Sequence, residues 1–265
     1  MNRNLVRKLV PEKLRIRLIM LKMQLKSLAY TGDTFSCNCC RKTFSRFLPY
    51  GNIPRENACC PWCHSLERTR VLQAYLERET DLFRRERKVL HFAPEWIIRK
   101  RFRQSAGRRG YYSADINPAL ADHVADIMQI PFPDETFDYI ICSHVLGHVP
   151  DEKKAVSEMY RVLKPGGEAL VMTVIDPDNP ETFENPELTT PEERLAAYGE
   201  QDLLRLHGRD FADRLAGENI NVEVIDYRTK LPPSENRRMS TGNGNRELIF
   251  RCTKCRDQRT PERGN

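Results

Sequence analysis

The chain has 265 residues, of which 40% are hydrophobic, enough for one catalytic domain of ordinary size with a sizeable core and a small appended segment. No run of about 18 uncharged apolar residues occurs, which argues against a membrane span, and Arg15, Arg17 and Lys22 interrupt the apolar N-terminal stretch, which argues against a signal peptide. The net charge of +6 is uneven: residues 1–30 hold eight Lys/Arg and one acid, 31–70 six and three, 71–250 twenty-four and thirty-one, and 251–265 five and two. An anionic partner (nucleic acid, phospholipid or a phosphorylated lipid carrier) is therefore expected at the basic ends and not at the acidic body.

Residues 1–30 place Leu5, Val6, Leu9, Val10, Leu14, Leu18, Leu21, Leu25 and Leu28 at mostly helical spacing with basic residues between them, and Pro11 divides the stretch into two helical pieces. Two readings stand side by side: an interfacial helix on an anionic membrane surface, or a helix packed on its own domain with a solvated basic face. Next come Cys37-x-x-Cys40 and Cys60-x-x-Cys63, spaced as in a four-cysteine Zn2+ site whose pairs sit on tight turns and whose intervening segment forms a hairpin. Cys39, Cys59 and His64 leave the choice of four ligands open, and a pair of disulfides is the alternative. A closed structural site of this kind does no chemistry itself. From Ser65, expected as N-cap, "SLERTRVLQAYLERET" reads as a helix burying Val71, Leu72, Tyr75 and Leu76 and linking this ribbon to the body.

In the body, short strands at Val89–Phe92, Gly110–Ala114, Asp138–Cys142 and Ala169–Val174 alternate with helical patterns at 95–105 and 151–163. That alternation predicts an open, doubly wound, mostly parallel sheet with ligands beyond the carboxyl ends of the strands. The turn after the first strand, His91 to Glu95, lacks the glycines of a dinucleotide site. Asp115 follows His91 by 24 positions, close to the distance at which an acid grips ribose hydroxyls. The Asp126 carboxylate can accept from an adenine amino group while Ile127 packs on the ring. The alternatives are a hydrogen-bonded loop pair for His91 and Glu95, a helix N-cap for Asp115 and a turn acid for Asp126. A further strand ends at Cys142, Ser143 and His144, and Lys164-Pro165-Gly166-Gly167 turns a helix into the next strand. The Pro- and acid-rich stretch from residue 176, with Glu181 and Glu184, reads as an insertion covering the substrate pocket. The last two strands form an antiparallel edge pair joined by "STGNGN", the final one ending at Cys252, and Cys252-x-x-Cys255 lacks a partner pair.

Residues 132–171, with "PFPDETFD", "HVLGHV" and "RVLKPGG" in succession, resemble the class I S-adenosylmethionine-dependent methyltransferases. The cysteine pairs, "SLER" and "LHFAPE" are similar to a subgroup with a zinc-binding N-terminus, so that the likeness runs over residues 35 to 250. The resemblance implies an α/β, Rossmann-like, doubly wound and mostly parallel seven-stranded sheet. It divides the chain into a basic helical arm (1–30), a zinc ribbon with its linking helix (31–80), a methyltransferase domain (81–253, with a cap at 176–215) and a disordered tail (254–265). S-adenosyl-L-methionine has no pyrophosphate, so the glycine requirement of the first turn is relaxed. By the resemblance His91, Phe92, Ala93 and Glu95 pass under its methionine part, Asp115 and Ile116 meet the ribose, Asp126 and Ile127 the adenine, and Ser143 and His144 lie beneath the sulfonium. His144, His148 and His207 are the candidate bases, and Arg205 is available for an anionic group.

Three departures mark this chain: Gly147 replaces the glutamate of the pattern H-V-L-E-H-V, and in "GEQDLLRLHGRD" Leu203 stands for a histidine and His207 for a tyrosine. The expected activity is methyl transfer to a small or lipid-linked acceptor, a sugar hydroxyl being the leading choice, in a cytoplasmic protein with peripheral contact at the inner face of the membrane through residues 1–30. An RNA methyltransferase holding nucleic acid with its ribbon, and a non-catalytic zinc-dependent interaction protein on a methyltransferase scaffold, are the alternatives.

Overall fold

The computed structural model describes residues 12–256. The arm's first residues, with Leu5, Val6, Leu9, Val10 and Pro11, and the tail beyond Arg256 lie outside the described residues. The helix Glu12–Lys26 (α1) carries the rest of the arm. Leu14, Leu18, Leu21, Leu25 and, just beyond, Leu28 are all exposed, so packing of this stripe on the domain is not what the chain adopts. No helix among the described residues is long and apolar enough to cross a membrane.

Two antiparallel hairpins follow, Phe35–Cys37 (β1) with Lys42–Phe44 (β2) and Leu48–Tyr50 (β3) with Arg55–Cys59 (β4). Each delivers a cysteine pair to the same place. The linking helix, Glu67–Arg78 (α2), begins one residue later than expected, with Leu66 and not Ser65 at its N-cap, because the Ser65 hydroxyl is taken up by the thiols of Cys37 (3.1 Å) and Cys63 (3.3 Å). Thr69 serves the helix start instead, its Oγ1 accepting from the Leu66 amide at 3.4 Å.

The central sheet has seven strands. Val89–Phe92 (β5), Tyr111–Asp115 (β6), His123–Val124 (β7), Phe137–Ser143 (β8) and Leu163–Met172 (β9) are mutually parallel where they pair. The helices Trp96–Arg103 (α3) and Glu152–Val162 (α4) make two of the crossovers. Between β9 and the edge lie Phe183–Glu184 (β10), Pro191–Tyr198 (α5), Arg205–Leu206 (β11) and Phe211–Arg214 (α6), the region expected as a cap. The edge strands are Ile220–Ile225 (β12) and, after the helix Pro233–Met239 (α7), Ile249–Lys254 (β13). The order is β12-β13-β9-β8-β5-β6-β7, with β13 antiparallel to both neighbours. β13 runs two residues past Cys252, so Lys254 is strand and not tail. The expected Lys164–Gly167 turn lies inside β9 as a bulge: Phe137 pairs with Leu163, but Tyr139 already pairs with Glu168. Gly166, at φ +81°, supplies the left-handed backbone this requires.

Strand alternation sends side chains to two cores, one on each face of the sheet. Leu90, Ile140, Val171 and Phe250 meet Met159 and Val162 of α4 and Phe211 of the cap. On the other face, Val89, Ile141, Leu170 and Ile249 share one cluster with Leu72 and Leu76 of α2, Ile98 and Phe102 of α3, and Cys37, Phe44 and Phe47 of the ribbon. The ribbon is thus part of the body's core. Arg70 of α2, fully buried, ties the parts together: its guanidinium donates to Ser65 O (2.6 Å), Ala58 O (3.0 Å), Met239 O (2.5 Å) and Ser240 O (2.7 Å), and lies 4.6 Å over the Phe47 ring.

Candidate functional site

A cavity of about 250 Å³ opens at the carboxyl ends of β5, β6 and β8. Phe92 lines it from the end of β5 and Ala93 from the turn that follows, Asp115 and Ile116 from the end of β6, Asp126 and Ile127 from the loop after β7, and His144 and His148 from the loop after β8. Ala93 sits at φ +44° with its amide donating to Ala114 O at 2.9 Å. A methyl group is all that projects there, so the space over the turn stays open without glycine. Asp115 and Asp126 each use Oδ1 in a local turn, accepting from the amides of Asn117 (2.7 Å) and Met128 (2.8 Å). The turn-acid alternative for Asp126 is therefore realised, whereas Asp115 caps a turn and no helix starts there, so its helix N-cap alternative is not adopted. A carboxylate has two oxygens with about four acceptor sites between them, so capping through Oδ1 and ligand binding are compatible. Ile127 is buried beneath the cavity, whereas Ile116 is 75% exposed at its rim.

His91 and Glu95 are not on the lining, which corrects the expectation of direct contact. The His91 ring is fully buried; its Nε2–H donates to Glu95 at 3.1 Å and its Nδ1 accepts from the Tyr111 hydroxyl at 2.9 Å, the tautomer following from these partners. Burial would raise the Glu95 pKa, but the His91 hydrogen bond and the positive charge nearby win, and the net shift is downward. The pair braces the turn from below. Ser143 is likewise off the lining, and its Oγ is buried without a hydrogen-bond partner among the described residues.

His144 stands at φ +56°, its amide donating to Met172 O (2.7 Å) and its Nε2–H to Arg246 O (3.0 Å), which leaves Nδ1 as acceptor. Burial, with the Arg68 charge adding to it, holds its pKa well below the usual histidine value. His148, on the lining and 31% exposed, donates from Nδ1 to Asp202 O at 3.1 Å. His207 lines no described cavity. It is 1% exposed, accepts from Thr173 Oγ1 (2.9 Å) and donates to Glu152 (2.6 Å), which Arg214 also binds. Burial outweighs the Glu152 carboxylate and lowers its pKa. As a base within reach of a cavity substrate, His207 is corrected: it fastens the cap to α4. Arg205 is also unavailable for an anion, because it is buried, paired with Glu184, and donates to the carbonyls of Leu146, Val149 and Pro150. Its role is to clamp the loop that carries His144 and His148.

The departures at 147 and 203 meet in space. A Cβ on Gly147 would lie 2.7 Å from Leu203 Cδ2, and Leu203 is 3% exposed, so the leucine occupies the room a side chain at 147 would need.

The thiols of Cys37, Cys40, Cys60 and Cys63 converge, all within 4.8 Å of one another, with Cys37–Cys63 at 3.6 Å and Cys40–Cys60 at 3.8 Å. Four sulfurs at Zn–S bonds of about 2.3 Å in a tetrahedron stand about 3.8 Å apart, so the cluster has the dimensions of a four-cysteine zinc site. Cys39 instead donates towards Thr69 O and Cys59 towards Cys60 O, so neither joins the four, and His64 is also outside them. The Ser65 hydroxyl lies 3.1 Å from Cys37 Sγ, to which its single O–H can donate, and accepts from Cys63 Sγ at 3.3 Å, while Trp96 Nε1 donates to Cys63 O at 2.8 Å.

Residues 90–171 match a family model described as a methyltransferase domain, and so carry its sequence pattern. The demethylmenaquinone methyltransferase of Listeria welshimeri is 39% identical over 74 residues, 28% of this chain and 31% of its own length. The ubiquinone/menaquinone biosynthesis C-methyltransferase of a Marinomonas species is 47% identical over 55 residues, 21% and 22% of the two chains. The chain thus matches less than a third of the length of either curated relative. Among solved structures, the S-adenosylmethionine dependent methyltransferase of Mesorhizobium loti aligns over 69% of this chain and 97% of its own, at 14% identity and a TM-score of 0.46.

Proposed function

We propose that the chain is an S-adenosylmethionine-dependent methyltransferase acting on a small-molecule acceptor. The observation that carries this reading is the convergence of Asp115, Asp126, Ile127 and Ala93, from the ends of successive parallel strands, on one cavity. The match of residues 90–171 to a methyltransferase domain supports it. Bound S-adenosylmethionine would supply the activated methyl group. Asp115 would hold the ribose hydroxyls, Asp126 the adenine amino group, and Ile127 the adenine face, while Ala93 admits the methionine part past the braced turn. The chain's own task is then to position the acceptor and, where its nucleophile carries a proton, to accept it. His144 suits that step: it is neutral, on the cavity wall, and has Nδ1 free of the bond that fixes its ring.

In the same reading Cys37, Cys40, Cys60 and Cys63 hold a structural Zn2+ that keeps the two hairpins together. One relative is named a demethylmenaquinone methyltransferase and the other a C-methyltransferase of ubiquinone/menaquinone biosynthesis, neither name pointing to a sugar, so the acceptor is kept at the level of a small organic molecule. Calorimetry with S-adenosylhomocysteine is the direct test: binding to the full chain, weakened about tenfold or more by Asp115→Ala through loss of hydrogen bonds to a charged group, is expected. Absence of heat with folded, metal-replete protein sinks the proposal.

A further inference from the structure

A narrow space of about 80 Å³ shares His144 and His148 with the cavity of Asp115 and Asp126 and is lined also by Arg68 and Glu200. Those two residues also line a wider cavity of about 360 Å³ that has Tyr50 and Arg55 of the β3–β4 hairpin and Arg246 on its wall. Three guanidinium groups therefore face one region. Two are spoken for: Arg55 binds Glu67 at 2.9 and 3.3 Å, and Arg246 binds Glu200 at 2.7 Å. Arg68 differs. Among the described residues it has no hydrogen-bond or ion-pair partner, although it is largely shielded from solvent. The carboxylates nearest in charge, Glu95 and Glu200, are already held by His91 and Arg246. A sheltered guanidinium left unpaired is costly unless an anion completes it, and its planar fork suits carboxylate and phosphate alike.

We propose that the space bounded by Arg68, Arg55 and Arg246 is the acceptor site, and that Arg68 receives an anionic group of the acceptor, a carboxylate or a phosphate. The inference rests on the methyltransferase reading and adds the substrate class to it. The acceptor's reacting end then lies towards His144, which borders both this space and the cofactor cavity. The cysteine ribbon gains a function beyond stability, since it and α2 supply Arg55 and Arg68 to the acceptor.

The test is calorimetry on the full chain saturated with S-adenosylhomocysteine, titrated with benzoate, phenyl phosphate and, as neutral counterpart, benzamide. At least one of the two anions binds and benzamide does not; which anion binds tells carboxylate from phosphate. Arg68→Gln weakens anion binding about tenfold or more, Arg68→Lys recovers part of it, and neither changes the affinity for S-adenosylhomocysteine, which also reports an intact fold. Equal anion affinity in wild type and Arg68→Gln, or no anion binding to a chain that binds S-adenosylhomocysteine, overturns the acceptor site. Anion binding that depends on Arg68 in a chain that does not bind S-adenosylhomocysteine supports the anion site while removing the cofactor reading.

Discussion

Position 147 makes the plainest case for reading residues in pairs. A glycine there looks like the loss of a carboxylate, yet Leu203 fills the room that a side chain would need, so the two departures are one packing solution. Gly147→Glu is expected to destabilise the protein by about 2 kcal/mol, by overpacking and by burying a charge beside an apolar group. In the Leu203→Ala background the same substitution costs less, with a coupling of about 1 kcal/mol in a double-mutant cycle of urea unfolding. Strictly additive effects would mean that the two side chains do not compete for space. Histidine shows the same dependence on surroundings. His144 and His207 are both held neutral, but only His144 borders the cavities, and only tertiary contacts separate them.

At the level of elements, the two hairpins and α2 act as one unit. The turns are closed by amides of Arg41 to Cys37 O (2.7 Å) and His64 to Cys60 O (2.9 Å), which aim the thiols at a common centre. Because the hairpins bury their apolar residues in the same core as α2 and the sheet, disturbance of the thiol cluster should reach the cavity lined by Arg55 and Arg68. Removal of metal with a strong chelator, or Cys60→Ser, is expected to lower the unfolding temperature by several degrees and to weaken benzoate or phenyl phosphate binding with it, checked by calorimetry and a metal assay. A chain purified without metal that loses nothing to the chelator would remove zinc from the account. Arg70→Met tests the other attachment: four carbonyls of Ala58, Ser65, Met239 and Ser240 lose their shared donor, at a cost of about 3 kcal/mol or more in urea unfolding.

For the whole molecule, the buried histidines set an acid limit. The pKa values of His144 and His207 are held below the ordinary 6.5, so the unfolded chain binds more protons than the folded one below that pH. Their contribution to stability is complete above pH 6.5 and is lost as pH falls below it, by up to about 1.4 kcal/mol per pH unit for each group. Glu95 and Glu152, whose pKa values are lowered from 4.5, add a second loss below that value. The urea midpoint should therefore decline from pH 6.5 downwards, and His144→Gln should flatten the slope between pH 6.5 and 5. A flat midpoint over that range in the wild type would mean that both rings are protonated in the fold.

Local periodicity and spacing were enough for the parallel strands at 89–92 and 138–142, the crossover helices, the convergence of the two Cys-x-x-Cys pairs, and the lining positions Asp115, Asp126 and Ile127, because each is written within a few residues or at the carboxyl end of a strand, while Ala93 and His144 came from the family resemblance. The partners of charged and polar side chains were not legible in the same way. Arg205 and Arg68 look equally free as sequence, yet one is consumed by Glu184 and three carbonyls more than fifty residues away, and the other is left facing a cavity. His207, Ser65 and Arg70 were settled by contacts of the same long-range kind, up to 170 positions apart. Backbone direction follows from short-range sterics and hydrophobic pattern, whereas the pairing of a buried charge depends on which distant groups packing brings within about 3 Å, and that is decided only when the chain is assembled.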